Sequence, residues 1–429
     1  MNMVFIVHYF PPVNSSGAKR IEAISKYLAT EGHSITVITT KKTSSDGAFT
    51  EVLPVGVNVI ELSFLGRDAN SAELDGTFEP MYTGKPSWRR RVKDFVLRVL
   101  GQIPDPRLSF ALSFASPFLS KRAVRALSSA DVVVGSAPPW PMLLAAVLCK
   151  KRYNVPCVLD YRDQFSECHE MPGGPFAKWL EKHIDRWLVS KADHIVTISD
   201  PMSSYYKTMT TDVTTIMNGY DHEVLNLART TAVIKDSEVV VIRYMGIVSP
   251  GRIPHNIFKA LVKLKTTDPL KFSRFRFEFY GSSNLIGVAI RESYPSIGDA
   301  FSYFDAVPYL TSLRLIVESD YMLFAETSSK KTLSAQGILT TKLFEYIGSG
   351  RPVLADISSD TLAGSFLQRA NAVNIVDDSE HSFFNTFCSD EFYQRKVDVI
   401  SEFAYSLSRQ SQAFQYAALI KNLTKVDKV

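Results

Sequence analysis

Short apolar runs alternate with amphipathic stretches along most of the chain. Val4–Val7, Ile35–Thr39, Val57–Leu62, Asp131–Gly135, Pro156–Asp160, His194–Ser199 and Thr214–Met217 are runs of strand length, bounded by turn residues. Helical patterns lie between most of them. Ser15-Ser16-Gly17 caps a helix with the apolar face Ala18, Ile21, Ile24 and Leu28, and further helices are predicted over Pro139–Arg152 and Phe176–Lys191. Strand–helix alternation predicts parallel strands with helices on both faces.

The alternation restarts near Glu238. Strands are predicted at Val239–Met245, Phe275–Tyr280, Phe301–Phe304, Tyr321–Ala325, Val353–Ala355 and Ala372–Val376. Helices are predicted at Pro254–Lys265, Leu310–Glu318, Thr341–Gly348, Thr361–Arg369 and Glu380–Phe387. Residues 221–237 lack clear periodicity and read as a linker between domains over 1–220 and 238–405. From Tyr393 onward, Val397, Ile400, Phe403, Ala404 and Leu407 fall at helical spacing and predict terminal helices. The fold class is α/β, with two facing Rossmann-like, doubly wound domains. Ligands of such sheets bind at the carboxyl ends of the strands, so two facing sheets would share a cleft.

Composition narrows the class. Of the 429 residues, 45% are hydrophobic and 21% charged, as in ordinary globular proteins. Cys149, Cys157, Cys168 and Cys388 are too few for a disulfide scaffold and point to a reducing compartment, so a cytoplasmic protein is expected. The N-terminus reads as a first strand, not a signal peptide, and no run of about 18 apolar residues is present.

Charge is unevenly spread. Residues 85–126 carry ten Lys/Arg and two acids, a net +8, against −4 for the remainder. Trp88, Val92, Phe95, Val96 and Val99 form a helical apolar stripe among Arg89, Arg90, Arg91, Lys93 and Arg98. Such a helix can lie on an anionic membrane surface, peripheral to its inner face, or pack on its own domain with its arginines reaching outward. No recognition motif for nucleic acid accompanies the charge.

The chemistry-bearing positions sit at predicted strand and helix ends. Lys342 and Glu345 lie three apart at the start of a short helix, on one face. On spacing alone a solvated ion pair is the simpler reading. A helix start with free N–H groups, a cation and a carboxylate also suits a ligand bearing phosphates and sugar hydroxyls. Gly17 lets the backbone of the first strand–helix turn come close to a phosphate, although G-x-G-x-x-G is missing there. Asp160, Arg162 and Asp163 close a strand and can bind an acceptor hydroxyl or a phosphate, or form a structural ion pair. Arg252 follows the strand ending at Met245 and can face a diphosphate or water. Val307-Pro308-Tyr309 follows another strand end, where backbone groups and an aromatic ring can hold a planar base. Cys168-His169-Glu170 lacks the second ligand pair a metal site needs, so no metal is expected.

These segments together resemble the GT-B glycosyltransferases of family 4. HYFPPVNSSGAKRIEAISKYLATEGHSITVITT (8–40) is similar to the family's opening strand, glycine loop and first helix. SAPPWPMLLAAVLCKKRYNVPCVLDYRDQ (136–164), ADHIVTIS (192–199) and TIMNGYD (215–221) resemble the rest of its first domain, and TTKLFEYIGSGRPVLA (340–355) its donor-binding helix. The resemblance implies transfer of a sugar from a nucleotide diphosphate donor, a UDP-sugar first, with retained configuration, no metal and no further cofactor. Capsule, O-antigen or exopolysaccharide synthesis, with a saccharide or polyprenyl-linked acceptor, is the implied setting.

It further implies that Glu345 binds the ribose hydroxyls and that Lys342 and Ile338–Thr341, Thr340 and Thr341 included, surround the diphosphate. Arg252 matches a phosphate-binding arginine and Gly17 the glycine loop. Lys342 and Arg252 would stabilise the leaving group, while Arg162 and Asp163 meet the acceptor. Residues 406–429 would form a helix returning to the first domain. One departure stands out: where many members carry a second glutamate, eight positions before Glu345, this chain has Gly337. A nucleotide-sugar 2-epimerase and a non-catalytic binding subunit share the architecture and stay open.

Overall fold

The computed structural model describes residues 1–13, 15–43, 46, 52–69, 99–167, 173–233, 238–326, 339–371, 373–394 and 400–426. Met1–Met217 with Gln412–Val429 form one compact unit, and Asn218–Lys331 with Ile338–Ser411 a second.

The first unit is built on β1 (Asn2–Val7), β2 (Ser34–Thr40), β3 (Val57–Leu62), β4 (Val132–Ala137), β5 (Cys157–Tyr161), β6 (His194–Thr197) and β7 (Val213–Thr215). They pair in parallel in the order β3-β2-β1-β4-β5-β6-β7. Its helices are α1 (Ser16–Thr30), α2 (Leu108–Ser113), α3 (Lys121–Ser128), α4 (Pro141–Tyr153), α5 (Pro175–Lys191) and α6 (Asp200–Lys207). Alternation along β1 feeds two cores, because successive side chains leave opposite faces of a strand. Val4 and Ile6 join Met142, Leu143 and Ala146 of α4. Met3, Phe5 and Val7 join Ile21, Ile24 and Leu28 of α1, and Ala413, Tyr416 and Ile420 near the C-terminus.

The second unit repeats the winding with β8 (Val240–Met245), β9 (Phe275–Tyr280), β10 (Phe301–Phe304), β11 (Tyr321–Ala325), β12 (Val353–Asp356) and β13 (Ile375–Asp377), in the order β10-β9-β8-β11-β12-β13. Helices α7 (His222–Thr231), α8 (His255–Thr267), α9 (Pro269–Ser273), α10 (Asn284–Ser293), α11 (Tyr309–Val317), α12 (Thr341–Ser349), α13 (Leu362–Ala370), α14 (Glu380–Cys388) and α15 (Glu402–Ser406) accompany it. The last helix, α16 (Arg409–Val426), starts in the second unit and from Gln412 belongs to the first. No described helix is long and apolar enough to cross a membrane.

Both sheets reverse strand order once, between β1 and β4 and between β8 and β11. At such a switch point the following loops diverge and open a crevice at the strand carboxyl ends.

The linker expected over 221–237 is corrected. Helix α7 fills His222–Thr231, and the Asp221 carboxylate caps it by accepting from the N–H groups of Glu223 and Val224 at 3.1 and 3.2 Å. Arg229 then donates to the carbonyls of Gly348 and Ser349 at the end of α12, at 2.9 and 3.0 Å. Few apolar positions mark this helix, Leu225 and Ala228 being its buried ones, because polar end contacts hold much of it. Tyr393 lies in a 3-10 turn, Asp390–Tyr393, and not on a terminal helix.

Asp160 is committed to the interior. Its carboxylate accepts from Arg20 at 3.0 Å and Ser136 at 2.6 Å. Burial pushes this carboxyl up, but Arg20 and the Ser136 hydroxyl outweigh it and hold the group below its ordinary value. Arg20 also donates to the Ile216 and Met217 carbonyls, tying α1 to the strand ends. Arg20→Met should therefore destabilise the chain by about 3–5 kcal/mol, the usual cost of stranding a buried charge. Denaturant unfolding measures this, and a loss below about 1 kcal/mol would contradict the assigned role.

Candidate functional site

Helix α12 brings its chemistry to the switch point of the second unit through one anchor. The Tyr346 hydroxyl accepts from the N–H of Met245, the last residue of β8, at 3.0 Å. Lys342 lies four residues earlier on the same helix face, so the anchor fixes it beside the strand end. Its ammonium donates to the Tyr244 hydroxyl at 2.6 Å. That hydroxyl donates in turn to the Ile247 carbonyl at 3.0 Å, and burial pushes the phenol up to about 12, so it keeps its proton. Gly246, the residue after Met245, has φ +104, a backbone state that glycine adopts without strain. A Cβ there would lie 3.9 Å from the Lys342 ammonium.

Arg252 completes a cationic pair. It ends a short 3-10 turn, Pro250–Arg252, and its guanidinium meets Glu326 at 3.3 Å, just beyond β11. Burial pushes Lys342 down to about 7, with the nearby positive charge of Arg252 adding to the effect and Glu326 and Glu345 opposing it. Burial likewise raises Glu326, against the pull of Arg252 and Lys342. Two cations and the Glu326 carboxylate thus share a partly dry crevice, with Glu345 close enough to act on Lys342.

Lys342 and Glu345 have different partners. Glu345 faces the phenol of Tyr309, which burial first and this carboxylate second hold far above the ordinary tyrosine value. Val307 and the exposed Pro308 lead into α11, which Tyr309 opens, so this loop and Glu345 are brought together. Thr340 is the N-cap of α12, yet its side chain makes no cap bond, and its buried Oγ1 finds no partner among the described residues. Thr341 opens the helix. The start of α12 therefore offers N–H groups and a hydroxyl, with Lys342 in its first turn.

In the first unit, Gly17 and Arg162 meet at the β1/β4 switch point. A Cβ on Gly17 would sit 2.3 Å from Arg162 Nη1, so a larger residue there displaces the guanidinium. Arg162 donates through Nε to the Ala137 carbonyl at 3.2 Å and through Nη2 to the Pro138 carbonyl, and lies 5.9 Å from the Tyr9 ring centre. Asp163 is exposed and its charge acts on Arg162. His8, directly after β1, is held by Thr40 and Asp46.

Sequence reasoning missed Glu326, Tyr244 and Tyr346, which look like ordinary strand-end and helix-core residues until β8 and β11 are neighbours. Gly337, Ile338, residues 85–98 and Cys168-His169-Glu170 lie outside the described residues. Of the basic segment, 99–126 is described, and Lys121, Arg122 and Arg125 are exposed on α3. Among the described residues no group of three or more His, Cys, Asp or Glu is placed to hold a metal ion.

Residues 17–219 match the model of the glycosyl transferase 4-like domain. A glycosyltransferase from Rickettsia africae ESF-5 aligns over 99% of this chain and 97% of its own, at 12% identity and a TM-score of 0.58. Sucrose-phosphate synthase from Thermosynechococcus elongatus aligns over 99% of both chains, at 12% identity and a TM-score of 0.55. Residues 17–219 are thus similar to that domain, and the chain has the GT-B fold. UDP-GlcNAc 2-epimerase from Neisseria meningitidis, in a structure bound to UDP-GlcNAc, also shares the GT-B fold: it covers 98% of this chain and 99% of its own, at 12% identity and a TM-score of 0.51. No curated protein matches the chain in sequence.

The charge state of Lys342 is open to test in this GT-B protein. Unfolded, its amine keeps a proton to about pH 10.4. Folded, it releases the proton near pH 7, so the cost of burying the charge is full below pH 7 and fades as pH rises toward 10. Lys342→Met should raise the melting temperature most at pH 6–7, with the gain shrinking by pH 10. A difference independent of pH would contradict a buried, depressed Lys342.

Proposed function

We propose that the chain is a retaining, metal-independent glycosyltransferase that moves a sugar from a nucleotide diphosphate donor to a saccharide or polyprenyl-linked acceptor. The observation that carries this reading is the cationic pair Lys342 and Arg252 beside the start of α12, at the β8/β11 switch point. A diphosphate arriving there competes with Glu326 for both cations and draws a proton onto Lys342. As the bond from the sugar to the phosphate breaks, negative charge grows on the leaving oxygen, and the two cations and helix-start N–H groups stabilise it. Glu345 holds the ribose hydroxyls, and Val307 and Pro308 border the base. Thr340 and Thr341 offer a hydroxyl and N–H groups to the phosphates.

In the first unit, Arg162 and Asp163 orient the acceptor, and Gly17 leaves room at the strand end. A front-face reaction, in which a donor phosphate oxygen takes the acceptor proton, needs no strong protein base. UDP is the nucleotide favoured here, supported by the UDP-GlcNAc bound in the structure of the epimerase that shares the fold. The basic segment 85–126 is consistent with an acceptor presented at an anionic membrane, as in surface polysaccharide assembly.

A thermal-shift panel of nucleoside diphosphates and their sugars identifies the donor. A ligand at roughly 100 times its dissociation constant stabilises by about 2.7 kcal/mol, which such a panel detects. Release of nucleoside diphosphate with that donor should then fall about 100-fold in Lys342→Ala and in Arg252→Ala, and Glu345→Ala should weaken donor binding. Wild-type turnover in any of these variants removes that residue from the site. An epimerised nucleotide sugar formed without acceptor would replace the transferase reading.

A further inference from the structure

Helix α5 is turned inside out. Its buried face carries Ala177, Glu181, Asp185, Leu188 and Val189, with both acidic side chains fully buried. Its exposed face carries Phe176, Trp179 and Trp187, at 59%, 55% and 45% exposure, with His183 exposed between them. Positions 176, 179, 183 and 187 are three and four apart and form one stripe about 16 Å long. The rings of Phe176 and Trp179 stack at 6.0 Å, and those of Trp179 and His183 lie 4.2 Å apart, so the strip is continuous from Phe176 to His183. Val99 and Leu100 are also exposed, and a Cβ on the neighbouring Gly101 would lie 3.2 Å from the Ala177 Cβ.

The inversion is fixed from within. Glu181 accepts from the Gln102 N–H at 2.7 Å and from Lys178 at 3.0 Å. Asp185 accepts from the Tyr161 hydroxyl at 2.8 Å and the Ser166 hydroxyl at 2.9 Å. Rolling the helix to hide its tryptophans would strip two carboxylates of these partners, which costs more than an exposed ring. The aromatic face is therefore held toward the outside.

The charged side chains that α5 itself turns outward have one sign. Both acids of α5 point inward, while Lys182, Arg186 and Lys191 flank the stripe. Lys182 meets Glu167 at 3.3 Å with both side chains 42% exposed, a weak and screened pair. Aromatic rings with polar edges, bordered by cations, suit the headgroup layer of an anionic bilayer. A second copy of the chain offering the same face would set like charges together.

We propose that the exposed face of α5 docks on an anionic lipid surface, with Phe176, Trp179 and Trp187 in the headgroup layer. The proposal stands apart from sugar transfer and is read without turnover. The whole chain should co-sediment with vesicles of phosphatidylcholine plus phosphatidylglycerol, and far less with phosphatidylcholine alone or at high salt. Trp179→Ser with Trp187→Ser should lower binding at least about tenfold at an unchanged melting temperature. Lys182→Gln with Arg186→Gln should weaken only the binding that depends on phosphatidylglycerol. Brominated phosphatidylglycerol should quench wild-type tryptophan emission, a readout that needs no variant. No co-sedimentation, no quenching, or full binding by the double tryptophan variant would overturn the proposal. So would a concentration-dependent dimer, lost in that variant, in a chain that ignores vesicles.

Discussion

Two cations held against one carboxylate at a strand-end crevice are the constraint on which the second unit turns. Lys342 and Arg252 repel each other in a partly dry place, and Glu326 offsets only part of that repulsion. A folded chain tolerates the arrangement because rigid elements fix all three groups. Tyr346 pins α12 to the end of β8, Tyr244 receives the Lys342 ammonium, and the parallel pairing of β11 with β8 brings Glu326 alongside. Close backbone packing helps: Gly281, at φ +107, lies against Gly246, where a Cβ on Gly281 would meet the Gly246 backbone at 3.1–3.3 Å. Two cations on a preorganised frame are what an anionic group developing in a reaction requires.

The two units use one winding for different chemistry. In the first, one arginine is locked inside against Asp160, and a second, Arg162, lines the switch point while bonded to carbonyls at the end of β4. In the second, the cations at the switch point face Glu326, and Glu345 also acts on Lys342. Fold supplies the crevice in both cases, and the side chains that line it decide what it can hold.

Much of this was legible in the chain. Strand-length patterns located Phe275–Tyr280, Phe301–Phe304 and Tyr321–Ala325 to the residue: the last is continuously apolar, as a buried parallel strand is, and the first two interleave aromatic with polar residues. The start of α12 was visible as Thr341-Lys342-x-x-Glu345. Helix α7 was not visible, since its stability rests on an aspartate cap and an arginine reaching α12, contacts that leave no periodic trace. Glu326 was also silent: its meaning depends on strand order, which joins residues 74 positions apart. The inverted face of α5 could be read as a helix from its pattern but not oriented, because the pattern assumes that carboxylates face water.

The account stands most directly on where a nucleoside diphosphate binds. A crystal structure of the chain with UDP measures it. The account predicts diphosphate oxygens within hydrogen-bond reach of the Lys342 ammonium and the Arg252 guanidinium, with ribose hydroxyls on Glu345. Ordered UDP elsewhere, with Arg252 still paired to Glu326, would contradict it.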